Sequence, residues 1–172
     1  MTFDLVAQSL WFIFPAYCAN AFPLLVKGKR PLDFGKNLGK HRILGDGKTI
    51  EGAIGGIFFG ILIGWLQMGL HSYLPSDLML ARLTIQLIIL LSTGAILGDI
   101  IGAFIKRRLG LPRGHPALFL DQLDFLAIAL LFSSFAVKIN LNTVVALVVI
   151  TPLLHMATNR IGYWIRVKKV PY

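Results

Sequence analysis

The sequence predicts an all-α integral membrane protein that forms a single membrane domain over residues 1–172. Of its 172 residues, 56% are hydrophobic and only 15% are charged, and the mean hydropathy is +0.73. Soluble domains do not carry this much apolar surface. Several apolar runs also approach the length of about 20 residues that a helix needs to cross a bilayer.

Five apolar runs predict five transmembrane helices. They cover residues 5–26, 51–70, 83–105, 123–138 and 141–159. The fourth run is short for a crossing, and we expect its helix to begin late, with its N-terminus in a polar cavity. Two long connections, 27–50 and 106–122, are predicted to be loops on the same side of the membrane.

The charge pattern predicts the orientation of these helices. The net charge is +9, and Lys and Arg concentrate in 27–49, 106–120 and the tail 160–172, whereas 71–82 and 138–140 carry few. Because cytoplasmic loops are the Lys/Arg-rich ones, the N-terminus is predicted outside and the C-terminus in the cytoplasm, as a multi-pass protein of the cell membrane. Topology thus accounts for the basic residues, and we expect no nucleic-acid partner.

The stretch 98–124 carries the residues that point most clearly to chemistry. An acid inside a spanning helix is expensive and usually functional. In order along the chain, the stretch contains Asp99, the cluster Lys106-Arg107-Arg108, a loop with Arg113 and His115, and then Asp121 and Asp124. Carboxylates at two helix ends with cations between them suit a divalent metal and a polyphosphate. The simpler alternatives are a helix cap for the Asp pair and a basic membrane flank for the cluster.

The connection 27–50 is rich in glycine and lysine and leads into the second span. Gly47-Lys48-Thr49 resembles part of a P-loop, but position 42 is Arg where that motif needs glycine. The motif of the CDP-alcohol phosphotransferases fails as well, because Ile50-Glu51 replaces its Ala-Arg. What remains is an anion site at a helix N-terminus, formed by Lys48. Thr49 is alternatively only a helix cap.

Two glycine stripes predict close packing of membrane helices. The first comprises Gly52, Gly56, Gly60 and Gly64, and the second Gly94, Gly98 and Gly102. Glycine at four-residue spacing lets helix backbones approach one another in a membrane. We expect this packing to hold Glu51 and Asp99 near each other. Asn20 and His155 could face the site, although hydrogen bonds within the helical bundle are the preferred interpretation.

These residues together resemble the membrane CTP-dependent cytidylyltransferases. The resemblance rests on GD and KR at the end of one span, a Gly/Pro/His loop, D-x-x-D, and K-T-x-E-G at 48–52. The small size and the sequence RILGDGKT at 42–49 are most similar to the archaeal ether-lipid branch. The chain departs from the bacterial pattern at Gly114-His115-Pro116-Ala117 and at Asp121-Gln122-Leu123-Asp124, where G-H-G-G and D-R-x-D are found.

The resemblance implies an enzyme that transfers CMP from CTP to an unsaturated ether-lipid phosphate, 2,3-bis-O-geranylgeranyl-glycerol 1-phosphate, with membrane lipids as its surroundings. Asp121, Asp124 and Lys106 are the implied catalytic residues, and Asp99, Asp121 and Asp124 the implied Mg²⁺ ligands. The implied nucleotide- and phosphate-binding residues are Lys48, Thr49, Glu51, Arg107, Arg113 and His115. The lipid tails are expected to enter sideways between helices, with the active site facing the cytoplasm.

Three alternatives stay open from the sequence alone. The same chemistry could act on ester lipids, as in phosphatidate cytidylyltransferases. A small cation transporter or channel component would need ionisable groups through the whole membrane depth, whereas these acids cluster near one face. A non-catalytic lipid-binding or assembly subunit would explain the basic loops but not the buried acids.

The loop charges give a test of the topology. In a variant without Cys18, a cysteine introduced within 30–40 should be protected from an impermeant thiol reagent in right-side-out vesicles, because that loop is predicted to be cytoplasmic. Labelling there, with protection of a cysteine placed within 72–78, would invert the topology and put the site on the side without CTP.

Overall fold

The protein is a helical bundle with one small β-hairpin. The structure, a computed structural model, describes residues 2–26, 28–112, 115, 117 and 119–164. Arg113 and the tail beyond residue 164 carry predictions that lie outside this range. The helices are α1 (Phe3–Ala21), α2 (Ile50–Leu70), α3 (Ile85–Arg108), α4 (Leu120–Ser133) and α5 (Leu141–Trp164). The hairpin strands are β1 (Asn37–Leu38) and β2 (His41–Arg42).

Four of the described helices are long and apolar enough to cross a membrane. They are α1 with the 3₁₀ turn Phe22–Leu24 that follows it, α2 with its own 3₁₀ turn, α3 and α5. The helix α4 has 14 residues, fewer than the span of about 20 that a bilayer requires. A multi-pass membrane protein is therefore confirmed, whereas the fifth crossing and the orientation stay predictions.

Several predicted boundaries were wrong. The helix α3 continues to Arg108 and α4 begins at Leu120, so the predicted loop 106–122 is confined to 109–119. Basic side chains in the last turn of α3 interact favourably with the negative end of the helix dipole. The helix can therefore continue beyond the end of its apolar run. Similarly, α5 extends beyond its predicted end at 159 to Trp164. The hairpin within 27–50 was not predicted.

Helices α1 and α3 form the centre of the bundle. The helix α1 contacts the other four helices, and α3 packs against α1, α2 and α4. The core between them includes Ile13, Leu91, Leu126 and Leu147, each no more than 1% exposed. Most other large apolar side chains face outward, as expected where lipid is the solvent.

The glycine stripe of α2 packs against α1 and α3, as predicted. A Cβ atom on Gly60 would lie 2.8 Å from the carbonyl oxygen of Pro15, and one on Gly56 would lie 2.7 Å from that of Ala19. Gly64 faces Ile88 of α3 in the same way. Real Cβ atoms do not come this close to backbone, so only glycine permits this helix spacing.

The glycine stripe of α3 makes the matching contact with α4. A Cβ on Gly94 would lie 2.8 Å from Cα of Ala129. One on Gly98 would lie 2.6 Å from Cα of Phe125 and would also meet the carbonyl oxygen of Asp124. At Gly94 and Gly98 the backbone of α4 therefore rests directly on α3, and the first turns of α4 are held beside the second half of that helix.

The loop between α1 and α2 has a built structure around Asp33. Its ends pair as a short antiparallel ladder, because Leu32 N–H donates to the carbonyl of Lys48 (2.8 Å) and Ile50 N–H to that of Arg30 (2.9 Å). The Asp33 side chain is fully buried and accepts hydrogen bonds from both Nη2 and Nε of Arg42. Backbone N–H groups donate to the same carboxylate from Gly35, Leu44 and Gly45.

These donors make Asp33 a stable anion. The Arg42 guanidinium holds the pKa of the Asp33 carboxyl well below its usual range, against the opposing effect of burial, and the three backbone N–H groups add to it. A lowered folded-state pKa contributes stability that is present above the unfolded pKa of about 4. That contribution is lost as the pH falls through the folded-state value, so at neutral pH the loop retains it in full.

Arg108 fastens this loop to the bundle. Its guanidinium donates to the carbonyl oxygens of Leu38 (2.6 Å), His41 (3.3 Å) and Arg42 (2.7 Å). The same guanidinium lies over the ring of Phe104, one turn earlier in α3. The loop of residues 28–49 is therefore bound both to its own ends and to the last turn of α3.

We expect Asp33→Asn to open this loop, because the amide cannot accept from all five donors and leaves Arg42 without its buried anion. Trypsin should then cleave at the loop lysines about tenfold faster or more, since cleavage tracks the open population. The matched control is Asp46→Asn, which removes a second, 61%-exposed carboxylate partner of Arg42. Equal cleavage rates for the two variants would show that Asp33 does not organise the loop.

Candidate functional site

A cavity of about 520 Å³ lies where all five helices, the loop 28–49 and the connection 109–119 meet. Its walls come from the end of α1, the start of α2, the second half of α3, the start of α4 and the end of α5. The sequence-predicted site residues that line it are Lys48, Thr49, Asp99, Lys106, His115, Asp121 and Asp124. The fold thereby brings together residues that are far apart in the sequence; Lys48 and Asp99, for example, are separated by 51 positions.

Lys48 reaches Asp99 across the cavity. Its ammonium lies 2.5 Å from Oδ2 of Asp99, and about a quarter of each side chain is exposed. The ladder at the loop ends fixes the backbone of Lys48, and the next residue, Thr49, is the N-cap of α2. Thr49 Oγ1 accepts from Gly52 N–H at 3.1 Å, so its capping role is confirmed. Lys48 thus stands at a helix N-terminus, where anions are favoured.

Lys106 pairs with Asp121 in a second ion pair of the same kind. Lys106 comes from the last turn of α3 and Asp121 from the first turn of α4. Asp121 is not the N-cap of α4, because that position is held by Phe119, which makes no capping hydrogen bond. The second carboxylate oxygen of Asp121 accepts from the backbone N–H of Ala117 at 3.0 Å.

Asp124 lies one turn further along α4 and turns its carboxylate toward α3. A Cβ on Gly102 would collide with this carboxylate, with Cγ of Asp124 only 2.7 Å away. Asp124 is also within electrostatic reach of Asp99, Lys48 and Lys106. The three predicted carboxylates therefore share one cavity and one set of neighbouring charges.

The donor chemistry of this cavity fits a hard divalent cation, which prefers carboxylate oxygens. Within the described part of the chain, no group of three His, Cys, Asp or Glu side chains is close enough to hold a metal as it stands. Two of the three carboxylates are instead neutralised by lysines. The three carboxylates are thus suitable ligands for a metal ion. In this structure, Lys48 and Lys106 supply the positive charge that balances two of them.

The remaining predicted residues lie elsewhere. Glu51 does not line the cavity; its Oε2 accepts from the backbone N–H of Arg30 at 3.2 Å and so holds the loop. Arg107 is likewise absent from the cavity lining, and Arg113 lies outside the described residues. His115 lines the cavity and is exposed.

Five further polar residues line the cavity: Asn20, Gln122, His155, Asn159 and Arg160. The sequence raised Asn20 and His155 as possible site residues but favoured hydrogen bonds within the bundle, and it did not single out the other three. The available signal was the spacing of polar residues at the end of the last span. His155 and Asn159 are four apart, one helical turn, and so share a face of α5.

Comparison with known proteins gives a consistent result. The family model described as CarS-like, CDP-archaeol synthase, matches residues 2–172. The chain is 44% identical to the CDP-archaeol synthase of Pyrococcus furiosus, over 97% of this chain and 98% of that one. It is 47% identical to that of Thermococcus gammatolerans, over 95% of each. A solved structure of an intramembrane enzyme for archaeal membrane lipid biosynthesis aligns with a TM-score of 0.75 at 38% identity, covering 90% of this chain and 94% of that one.

Proposed function

The chain belongs to the CarS-like family of CDP-archaeol synthases, and on that premise we propose that it transfers CMP from CTP to an archaeal ether-lipid phosphate, giving CDP-archaeol and pyrophosphate. The observation that carries the proposal is the cavity itself. It gathers Asp99, Asp121 and Asp124 with Lys48 and Lys106 at the ends of membrane helices. A lipid anchored in the bilayer and a nucleotide from water can meet at such a place.

The reaction needs positioning more than proton transfer. An oxygen of the lipid phosphate bonds to the α-phosphorus of CTP, while the bond from that phosphorus to the bridging oxygen of the β-phosphate breaks and pyrophosphate leaves. A phosphate monoester has its second pKa near 6, so the nucleophile is largely a dianion at neutral pH. No side chain has to remove a proton, and charge stabilisation becomes the main task of the site.

The lysines are the candidates for holding phosphate. Lys48 stands at the N-terminus of α2 and Lys106 in the last turn of α3, and both line the cavity, so the two can bind different oxygens of a polyphosphate. In the structure each balances one carboxylate, and each would be free to bind phosphate if a bound cation took over that carboxylate. His115 lines the same cavity. Phosphate binding by Arg107 and Arg113 stays a prediction from the sequence.

Asp99, Asp121 and Asp124 are the residues that would hold Mg²⁺. The bound ion would offset the negative charge of the polyphosphate and of the transition state. Thr49 fixes the start of α2, and Glu51 fixes the loop through Arg30, so both help to position Lys48. Thr49 also lines the cavity, and contact of Thr49 or Glu51 with the nucleotide stays a prediction from the sequence. The site faces the cytoplasm in this proposal, and the topology experiment tests that part independently.

The metal assignment predicts that Asp121→Asn and Asp124→Asn each lower turnover by about 10²–10³, as expected when a principal electrostatic stabiliser is lost. Activity is measured as incorporation of label from CTP into lipid by purified protein. It should vanish with chelator and return with Mg²⁺ or Mn²⁺. The matched control, Asp77→Asn, removes an exposed acid from the 71–82 connection and should leave turnover unchanged.

Asp121 also pairs with Lys106, so loss of that ion pair has to be separated from loss of a metal ligand. A metal ligand predicts that Asp121→Asn needs more Mg²⁺ for half-maximal activity, whereas an ion-pair role predicts an unchanged requirement. Turnover equal to that of the wild type in both Asp121→Asn and Asp124→Asn would contradict the assignment of these residues as metal ligands.

The position of Asp124 gives a separate test. A methyl group at Gly102 would displace the Asp124 carboxylate, which is the movable end of a side chain, rather than the helix backbone. Gly102→Ala should therefore lower turnover about tenfold or more, up to the 10²–10³ expected for loss of one electrostatic contact, with little change in thermal stability. Gly69→Ala on α2, where a Cβ would meet nothing within 4 Å, is the control. Equal activity of the two variants would contradict the placement of Asp124.

A further inference from the structure

The cavity has a second wall, formed by the end of α1 and the end of α5, that the reaction scheme leaves unused. We propose that this wall admits the lipid substrate from the bilayer between Leu24 and Met156, and that Arg160 binds its phosphate. The inference rests on the proposed function, because it assigns the subsite for one of the two substrates. The ligand class is a phosphate monoester that carries apolar tails.

The opening to the bilayer is indicated by two apolar residues that both line the cavity and lie on the outer surface of the bundle. Leu24 and Met156 line the cavity, yet they are 59% and 43% exposed. Exposed apolar side chains on spanning helices face lipid. Leu25 and Leu153, both more than half exposed, extend that apolar surface outward. An apolar path therefore leads from the bilayer into the cavity.

The other side of the opening is closed by a direct contact between α1 and α5. Tyr17 Oη and Thr151 Oγ1 lie 2.7 Å apart. Leu24 and Met156 follow these two residues by one to two helical turns, so the gap lies on one defined side of the hydrogen bond. Tails that lie along the exposed surface of α5 would bring a headgroup to the last turns of that helix.

Arg160 is placed to meet that headgroup. It follows Met156 by four residues, one helical turn, and therefore lies on the same face of α5. It also lines the cavity. Within the described residues, Lys48 and Lys106 each have a carboxylate partner, whereas Arg160 forms no salt bridge. A guanidinium without a competing carboxylate suits bidentate binding of phosphate.

This arrangement divides the two phosphates between separate cations. The nucleotide's polyphosphate takes the wall with Lys48 and Lys106, and the lipid phosphate takes the wall with Arg160. Two polyanions that must react repel each other unless each is neutralised in place. The competing explanation is that Arg160 is an ordinary interfacial anchor whose charged end reaches water.

The test compares Arg160→Gln with wild type in nanodiscs, with KM measured separately for the lipid phosphate and for CTP. The lipid KM should rise about ten- to a hundredfold, the range for one charge-assisted hydrogen-bond pair, while the KM for CTP stays unchanged. Arg160→Lys should recover part of the loss. Lys36→Gln, an exposed cation of the loop 28–49, controls for the general attraction of anionic lipid to a basic surface.

A binding measurement without turnover completes the test. Without CTP and divalent metal, the lipid phosphate should bind Arg160→Gln about tenfold more weakly than wild type, and Met156→Trp should weaken it by filling the opening. Glycerol 1-phosphate, which has no tails, should be affected by Arg160→Gln but not by Met156→Trp. If Arg160→Gln does not fold, Arg160→Lys and Met156→Trp carry the same comparison.

The outcomes separate this inference from the proposed function. Wild-type protein that forms no CDP-lipid from CTP would overturn the function. Active wild type with an unchanged lipid KM in Arg160→Gln, or with equal losses in Arg160→Gln and Lys36→Gln, would overturn the subsite alone. A rise in the KM for CTP without a rise for the lipid would assign Arg160 to the nucleotide instead.

Discussion

The direct contact of α4 with α3 is the constraint on which the site depends. Gly94 and Gly98 let the backbones of the two helices touch, and Gly102 leaves room for the Asp124 side chain. With only 14 residues, α4 is too short to gain its position from length alone. Glycine lowers helix propensity in water, but in a membrane the closeness it permits is itself the source of packing energy. Here that closeness also decides how near the carboxylates of the two helices come.

Charge balance is the second condition, and it follows from the first. Three carboxylates around one cavity repel each other unless cations are near. Lys48 arrives from the loop before α2 and Lys106 from α3 itself, so both neutralising groups depend on elements outside α4. The structure of the loop, with Asp33 at its centre and Arg108 as its tie to α3, is thereby connected to the electrostatics of the cavity.

The sequence predicted the helices and the gathering of Asp99, Lys106, Asp121 and Asp124 because hydropathy and spacing report on them directly. It could not predict where each basic residue of the 106–108 cluster points. Successive helical residues diverge by about 100°, so Lys106 meets Asp121 and Arg108 meets the hairpin, whereas Arg107 does not line the cavity. The hairpin is held by Asp33, whose donors lie up to twelve residues further along an irregular loop. Arg160 reaches the cavity because α5 continues beyond its apolar run. Neither arrangement follows from a periodic sequence pattern.

On the proposed path between Leu24 and Met156, the lipid leaves the site with a larger headgroup than it had on entry. The substrate passes with a single phosphate at its head, whereas the product carries a whole nucleotide on the same tails. The apolar side chains at the gap cannot form hydrogen bonds with the sugar and the base of the product. Its tails keep the product in the bilayer. On this proposal, the width of the gap affects release of the product lipid more than formation of the new bond.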